Sequence, residues 1–298
     1  MKGGAAPAPL AATYSVVARD PVTGQLGVGV QSRAFAAGRI VPWARPGVGA
    51  VATQALSAVR HGPDGIELMR SGLTAGQALA AVVAGDEGRE LRQVAMVDAR
   101  GNAAAHTGKS CVQAALHVVG EGFSAQGNML AGPPVIEELA GAFTAASGPL
   151  AERLLAGLDA AEAAGGDARG RQAAGLLVVS GDPAEPWYAQ QVNLRVDDHA
   201  APLTELRRLL GVQRTRERFG DLRVRLERGD LGAWQEFRAD PIPDPEIRLY
   251  LAAALWPHRR DEARDQFRAL FGEHPRWREV ARAFAVAGRI KLDLAELP

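Results

Sequence analysis

The chain has one cysteine, Cys111, in 298 residues, which excludes an intramolecular disulfide framework and leaves no cysteine set for zinc. It has no charge of either sign to spare. Lys+Arg and Asp+Glu both number 34, so nothing global steers it to nucleic acid or an anionic surface. No window reaches the roughly eighteen apolar residues of a membrane span, and the opening MKGGAAPAPLAA, broken by two prolines, lacks a signal-peptide core. A flexible tail and a cytoplasmic protein are the expectations. Six histidines are scattered with no metal-ligand spacing among them, and no G-x-S-x-G elbow is present. No metal or cofactor is therefore expected.

What is present is 47% hydrophobic and 23% charged, ordinary globular usage with room for two domains. TYSVVAR from Thr13, the turn DPVTG and QLGVGVQS make a hairpin, and GVGAVATQA from Gly47 makes a third strand. GIELMRSG and TAGQALAAVVAGD have helical spacing, the second with Thr74 as N-cap. Strands return in LRQVAMVD, AAAHTG, VQAALHVVG and FSAQGN, then helices from Pro134 and Gly148, then strands in QAAGLLVVS and WYAQQVNLRV. Strands and helices in alternating groups suit an α+β fold of layered sheets better than strict βαβ alternation. After DDHAAP, from Leu203, the chain turns Arg-rich and helical to its end, an all-α module of short-looped helix pairs. The expected boundaries are a tail over 1–12, an α+β domain over 13–202 and a helical domain over 203–298.

Thr13 supports two readings. A β-branched residue at a strand start is ordinary. A threonine with a free α-amine is also a nucleophile with its own base, because that amine has a pKa of about 8 and lies about 3 Å from the hydroxyl. An amide nitrogen cannot serve, so this chemistry requires cleavage of the Ala12–Thr13 bond. In GGDARGRQ, Asp167, Arg169 and Arg171 either lock a loop through a carboxylate–guanidinium fork, the favoured role, or hold a substrate carboxylate. Trp234, Trp256 and Trp277 suit a helical core better than stacking on sugars. Cys111 beside a strand reads as a packing residue.

TYSVVARDPVTGQLGVGVQSR from Thr13, VPWARPGVGAVATQA from Val41, RQVAMVDARGNAAAHTG from Arg92, AQGNMLAG from Ala125 and GGDARGRQAAGLLVV from Gly165 resemble, in that order, the domain of unknown function 1028 family, over about Thr13 to Leu210. That family is similar in fold to the N-terminal-nucleophile hydrolases. The resemblance implies a four-layer αββα sandwich with Thr13 as nucleophile and its amine as base. The opening TYS and the VQSRA that ends the hairpin also resemble proteasome-type β subunits. Members usually begin Met-Thr; here twelve residues intervene, so the threonine cleaves itself free, another protease trims the tail, or the protein is catalytically silent.

Amide hydrolysis also needs oxyanion donors. Thr53 with Gln54 is one candidate set and Gln126 with Asn128 another, although Asn128 beside Gly127 equally suits a turn. DARGNAAAHTG resembles a stretch of plant-type asparaginases, which makes Thr107 a candidate substrate contact where a plain hairpin also accounts for the pattern. Arg33 and Arg45 are candidate cations for activating the nucleophile, or solvated surface charges. The helical domain resembles the peptidoglycan-binding module found behind some family members. The expected function is amide hydrolysis through Thr13, on a small amide or cell-wall-derived substrate, in a homo-oligomer. The alternative is a non-catalytic scaffold that binds a ligand or cell-wall material.

Overall fold

A computed structural model of the chain describes residues 10–11 and 13–292. Of the tail expected over 1–12, only Leu10 and Ala11 are among the described residues, and they form a two-residue strand, β1. The fold is mixed α+β, with two antiparallel sheets and a helical C-terminal region.

One sheet is built on β5 (Gly49–Leu56), β6 (Arg92–Asp98) and β7 (Ala103–Thr107) in that order, with β1 and β4 (Pro42–Arg45) both paired to β5. The other has the order β11-β10-β3-β2-β9-β8, in which β2 (Thr13–Arg19) and β3 (Leu26–Ser32) form the central hairpin. Its remaining strands are β8 (Leu116–Gly120), β9 (Phe123–Asn128), β10 (Ala173–Val179) and β11 (Gln190–Val196). The Asp20–Gly24 turn is held by Asp20, whose Oδ1 accepts the amides of Val22 and Thr23, the local pairing that makes aspartate a turn residue.

Alternation fixes what each strand face meets. Val51, Val94 and Met96 pack against Ile66 and Met69 of α1 (His61–Arg70) and Leu79 and Val82 of α2 (Ala75–Ala84). Thr74 caps α2 in a capping box with Gln77. On the other sheet, α3 (Pro134–Ala145) and α4 (Leu150–Ala163) pack against β2, β3 and β9. A Cβ at Gly29 would lie 3.2 Å from Leu158 and 3.3 Å from Leu154, so the glycines of β3 let α4 approach closely. The opposite faces of the two sheets meet through Val17, Leu26, Val28 and Val30 on one side and Ala50, Ala52, Ala95 and Val97 on the other. Small alanines facing branched valines fill that layer at one end. Its other end is polar.

The contacts divide the chain into Met1–Leu209 and Leu210–Pro298, a boundary inside the long helix α5 (Pro202–Glu227). The second unit has the core Leu222, Trp234, Phe237, Leu251, Trp256, Phe267 and neighbours, supplied by α5, α6 (Leu231–Ala239), α7 (Pro245–Leu255) and α8 (Arg260–Glu273), with Trp277 and Phe284 of α9 (Trp277–Val286) packed against it. Trp234 and Trp256 are each 4% exposed; they are core residues.

Candidate functional site

Thr13 opens β2 between two partners in register, Ser32 on β3 and Asn128 on β9. All three side chains therefore share the face that looks toward the other sheet. Thr13 is fully buried, and its hydroxyl donates to Ser32 Oγ at 3.2 Å. Ser32 Oγ also accepts the Ala34 amide at 2.9 Å, which fixes the hydroxyl that orients Thr13. Two residues on, Ser15 occupies the same face and donates to Gln54 Oε1 across the sheet gap at 2.7 Å.

Two glutamines cross the gap. Gln54 Nε2 donates to Gln93 Oε1 at 2.8 Å, to the Thr13 carbonyl at 3.3 Å and to the Gln126 carbonyl at 3.4 Å. Gln93 Nε2 donates to Thr107 Oγ1 at 2.9 Å and to the carbonyls of Leu116 at 3.1 Å and Gly127 at 2.8 Å, while its Oε1 accepts Asn128 Nδ2 at 3.1 Å. Gln126 Nε2 donates to Ser15 Oγ at 2.6 Å and its Oε1 accepts Ser124 Oγ at 2.8 Å. The cluster is neutral amides and hydroxyls, stitched in a setting where each unmade bond is costly. One acceptor is left over: Asn128 Oδ1 is buried without a partner. Buried acceptors are normally satisfied, and this one belongs to the residue directly beside Thr13 in the sheet.

Thr107 links the cluster to solvent. Its oxygen accepts from Gln93 and lies 2.8 Å from His117 Nδ1, donating or accepting according to the imidazole tautomer. Desolvation and then the neighbouring His106 hold the His117 imidazole below its usual pKa, which favours the neutral ring.

The structure brings together Thr13, Gln54, Gln126, Asn128 and Thr107. Thr53 does not join them: it is one residue from Gln54 on β5, so its side chain points to the opposite face, where its hydroxyl donates to the Ala58 carbonyl at 3.3 Å. Arg33 is exposed and its guanidinium bonds Gln172 Oε1, while its backbone amide donates to Asp167 at 2.9 Å. Arg45 lies 4.0 Å from Glu67. Asp167 is buried and grips the Arg169 side chain through both oxygens, at 3.2 and 3.0 Å, as well as the Arg169 amide. The fork closes the loop before β10 on itself, and the same carboxylate, by accepting the Arg33 amide, ties that loop to the end of β3. Arg171 pairs instead with Glu162, which accepts the Tyr14 hydroxyl at 2.6 Å on the helix-facing side of β2; burial and that carboxylate push the Tyr14 phenol pKa far up. Cys111 is buried, donates to the Arg92 carbonyl and has its thiol pKa raised by burial, as befits a packing residue.

Ser15, Ser32, Gln93, Ser124 and His117 were not among the residues singled out from the sequence. Gln93 had a visible signal, a polar residue on the alternating face of LRQVAMVD. Ser15 and Ser32 had none, since serine on a strand implies nothing until its neighbours are known. Among the described residues no group of three or more His, Cys, Asp or Glu could hold a metal ion, and no helix is long and apolar enough to cross a membrane.

Residues 13–206, from Thr13 onward, match the model of the family of unknown function DUF1028. The chain belongs to the DUF1028 family. The crystal structure of the DUF1028 protein SPO2555 from Silicibacter pomeroyi is similar to it, with a TM-score of 0.61 and 33% identity over 67% of this chain and 85% of that one. The ancestral β-subunit Anbu from Yersinia bercovieri aligns over 67% of this chain and 93% of that one at 12% identity and a TM-score of 0.34, too low for a structural argument. No curated protein matches the chain. The DUF1028 match begins on the residue that the polar cluster surrounds, and the helical unit lies beyond it.

Proposed function

We propose that this DUF1028 chain is an amidohydrolase of the N-terminal-nucleophile kind, with the αββα layering of that class, in which Thr13 acts once residues 1–12 are removed. The observation that carries the reading is Asn128 Oδ1, an acceptor without a partner beside Thr13 in the sheet. Burying such an oxygen costs about 1–3 kcal/mol; an α-amine created on Thr13, its partner in the strand register, would add a donor to that pair. Thr13 Oγ then attacks the amide carbon. The α-amine takes the hydroxyl proton and passes it to the leaving nitrogen as the C–N bond breaks, leaving an ester on Thr13. Water, deprotonated by the same amine, cleaves the ester and restores the hydroxyl. Asn128 Nδ2, which gives one hydrogen to Gln93 Oε1 and keeps its second, serves as the side-chain donor for the oxyanion; the Gln54 amide is committed to three internal acceptors and so positions the Thr13 carbonyl.

The full burial of Thr13 supports a second state. A chain that keeps residues 1–12 has neither base nor access and is a scaffold. Intact-mass measurement of the purified protein separates the two: a terminus at Thr13 supports the hydrolase, and a persistent Met1 refutes it. In protein that starts at Thr13, a hydroxyl-directed acylating probe adds one group, and Thr13→Ala abolishes the labelling while the fold melts within about 1 kcal/mol of the parent, since one neutral hydrogen bond to Ser32 is lost. Cell-wall material as substrate, a docking role for the helical unit, self-association and a cytoplasmic location belong to the same proposal. The burial of Trp234 and Trp256 leaves any docking there to surface groups rather than to these rings.

A further inference from the structure

β1 lies antiparallel to the end of β5, Leu10 opposite Leu56 and Ala11 opposite Ala55. β6 occupies the other side of β5 as far as Ala55, so β1 shares an edge with β4, which covers Gly49–Ala52. β4 and β1 thus lie along the same edge, and β1 fills the last two positions. Only Ala12 separates β1 from Thr13 in the chain, so the segment on the acyl side of the Ala12–Thr13 bond is held as an added strand. The β5 backbone departs from regular geometry at this point: Ala55 has φ 68°, a left-handed value that alanine adopts only when its surroundings impose it. Backbone strain of this kind gathers at ligand clamps.

We propose that the β5 edge at Ala55–Leu56 is the acyl-side subsite, and that it takes linear peptides or peptide-like amides by strand addition, with a small residue such as Ala12 just before the bond to be cut. Unpaired N–H and C=O groups on a sheet edge bind an extended backbone whatever its side chains, and the ladder that β1 makes here spans two residues. Leu10–Ala11 is then an internal occupant, which keeps the full chain from binding substrate. Calling the ligand a substrate rests on the hydrolase reading; the strand site does not.

The test uses the full chain with Thr13→Ala, its attached tail verified by intact mass, and the same chain with Leu10→Pro and Ala11→Pro, which removes the tail's N–H donors and opens the edge; deletion of residues 2–11 provides a second open chain should the prolines impair folding. The probe is a fluorescein-labelled Ala-Pro-Leu-Ala-Ala peptide, followed by anisotropy. The expected result is binding to the open chain at least about tenfold tighter than to the closed one, with a loss of about tenfold when the probe is N-methylated at Leu or at the following Ala, whichever N–H faces β5. Equal binding to open and closed chains, no binding to either, or indifference to N-methylation at both positions overturns the proposal. The hydrolase reading fails separately: Met1 retained in the protein with its native Thr13, alongside strand-dependent binding in the open chain, leaves a peptide-binding edge without catalysis.

Discussion

Gln93 joins the two sheets at the polar end of the layer, because it donates to Thr107, Leu116 and Gly127 and accepts from Gln54 and Asn128. Gln93→Leu keeps the volume and orphans partners on both sheets, so the expected loss is about 2–4 kcal/mol, read by urea unfolding of the variant against the parent. His61 reports on the opposite face of the β5 sheet. It is 1% exposed, with Nε2 3.3 Å from Asp86 Oδ2. Burial lowers its pKa more than Asp86 raises it, while the Arg92 hydrogen bond keeps Asp86 below its usual range. A histidine depressed in the fold takes up its proton more readily when unfolded, so its contribution is complete above pH about 6.5 and is lost as pH falls through and below that value. Stability measured from pH 7.5 to 5 therefore declines, and His61→Leu flattens that decline. Asp86, already ionised throughout, does not produce it.

At the scale of elements, most of the fold was legible. TYSVVAR, FSAQGN and RQVAMVD fall on β2, β9 and β6, and Thr74 caps α2, because alternation, helical spacing and capping are local properties of the chain. β4 was not seen: four half-buried residues including Pro42 carry no alternation to detect, and the strand exists because β5 pairs with it. The helix expected from Gly65 starts earlier, at His61, where packing rather than composition sets the boundary. A Cβ at Gly62 would sit 2.3 Å from the Trp43 ring, so α1 rests directly on β4. Gly62→Ala is expected to force the two apart and destabilise the protein by about 1–3 kcal/mol despite its better helix propensity, seen as a lower melting temperature.

For the molecule as a whole, the two units rely on different means of stability. The helical unit is sealed by aromatic contacts, with Phe267 fully buried between Trp256, at 5.9 Å between ring centroids, and Phe271, at 5.7 Å. Phe267→Ala is expected to cost about 3–5 kcal/mol and to lower the calorimetric transition of that unit. The polar cluster around Thr13 is the reverse case, a core region held by directed bonds. The sequence by itself determined the element types, the turn after β2, the division into an α+β part and an Arg-rich helical part, and the DUF1028 family, because each of these is written in spacing or in local motifs. Only the tertiary structure decided that Gln54, Asn128 and Thr107 gather around Thr13 while Thr53, Arg33 and Arg45 do not. Strand alternation sends adjacent residues to opposite faces, and which face becomes the polar layer depends on pairings between residues more than a hundred positions apart, such as Ser15 with Gln126.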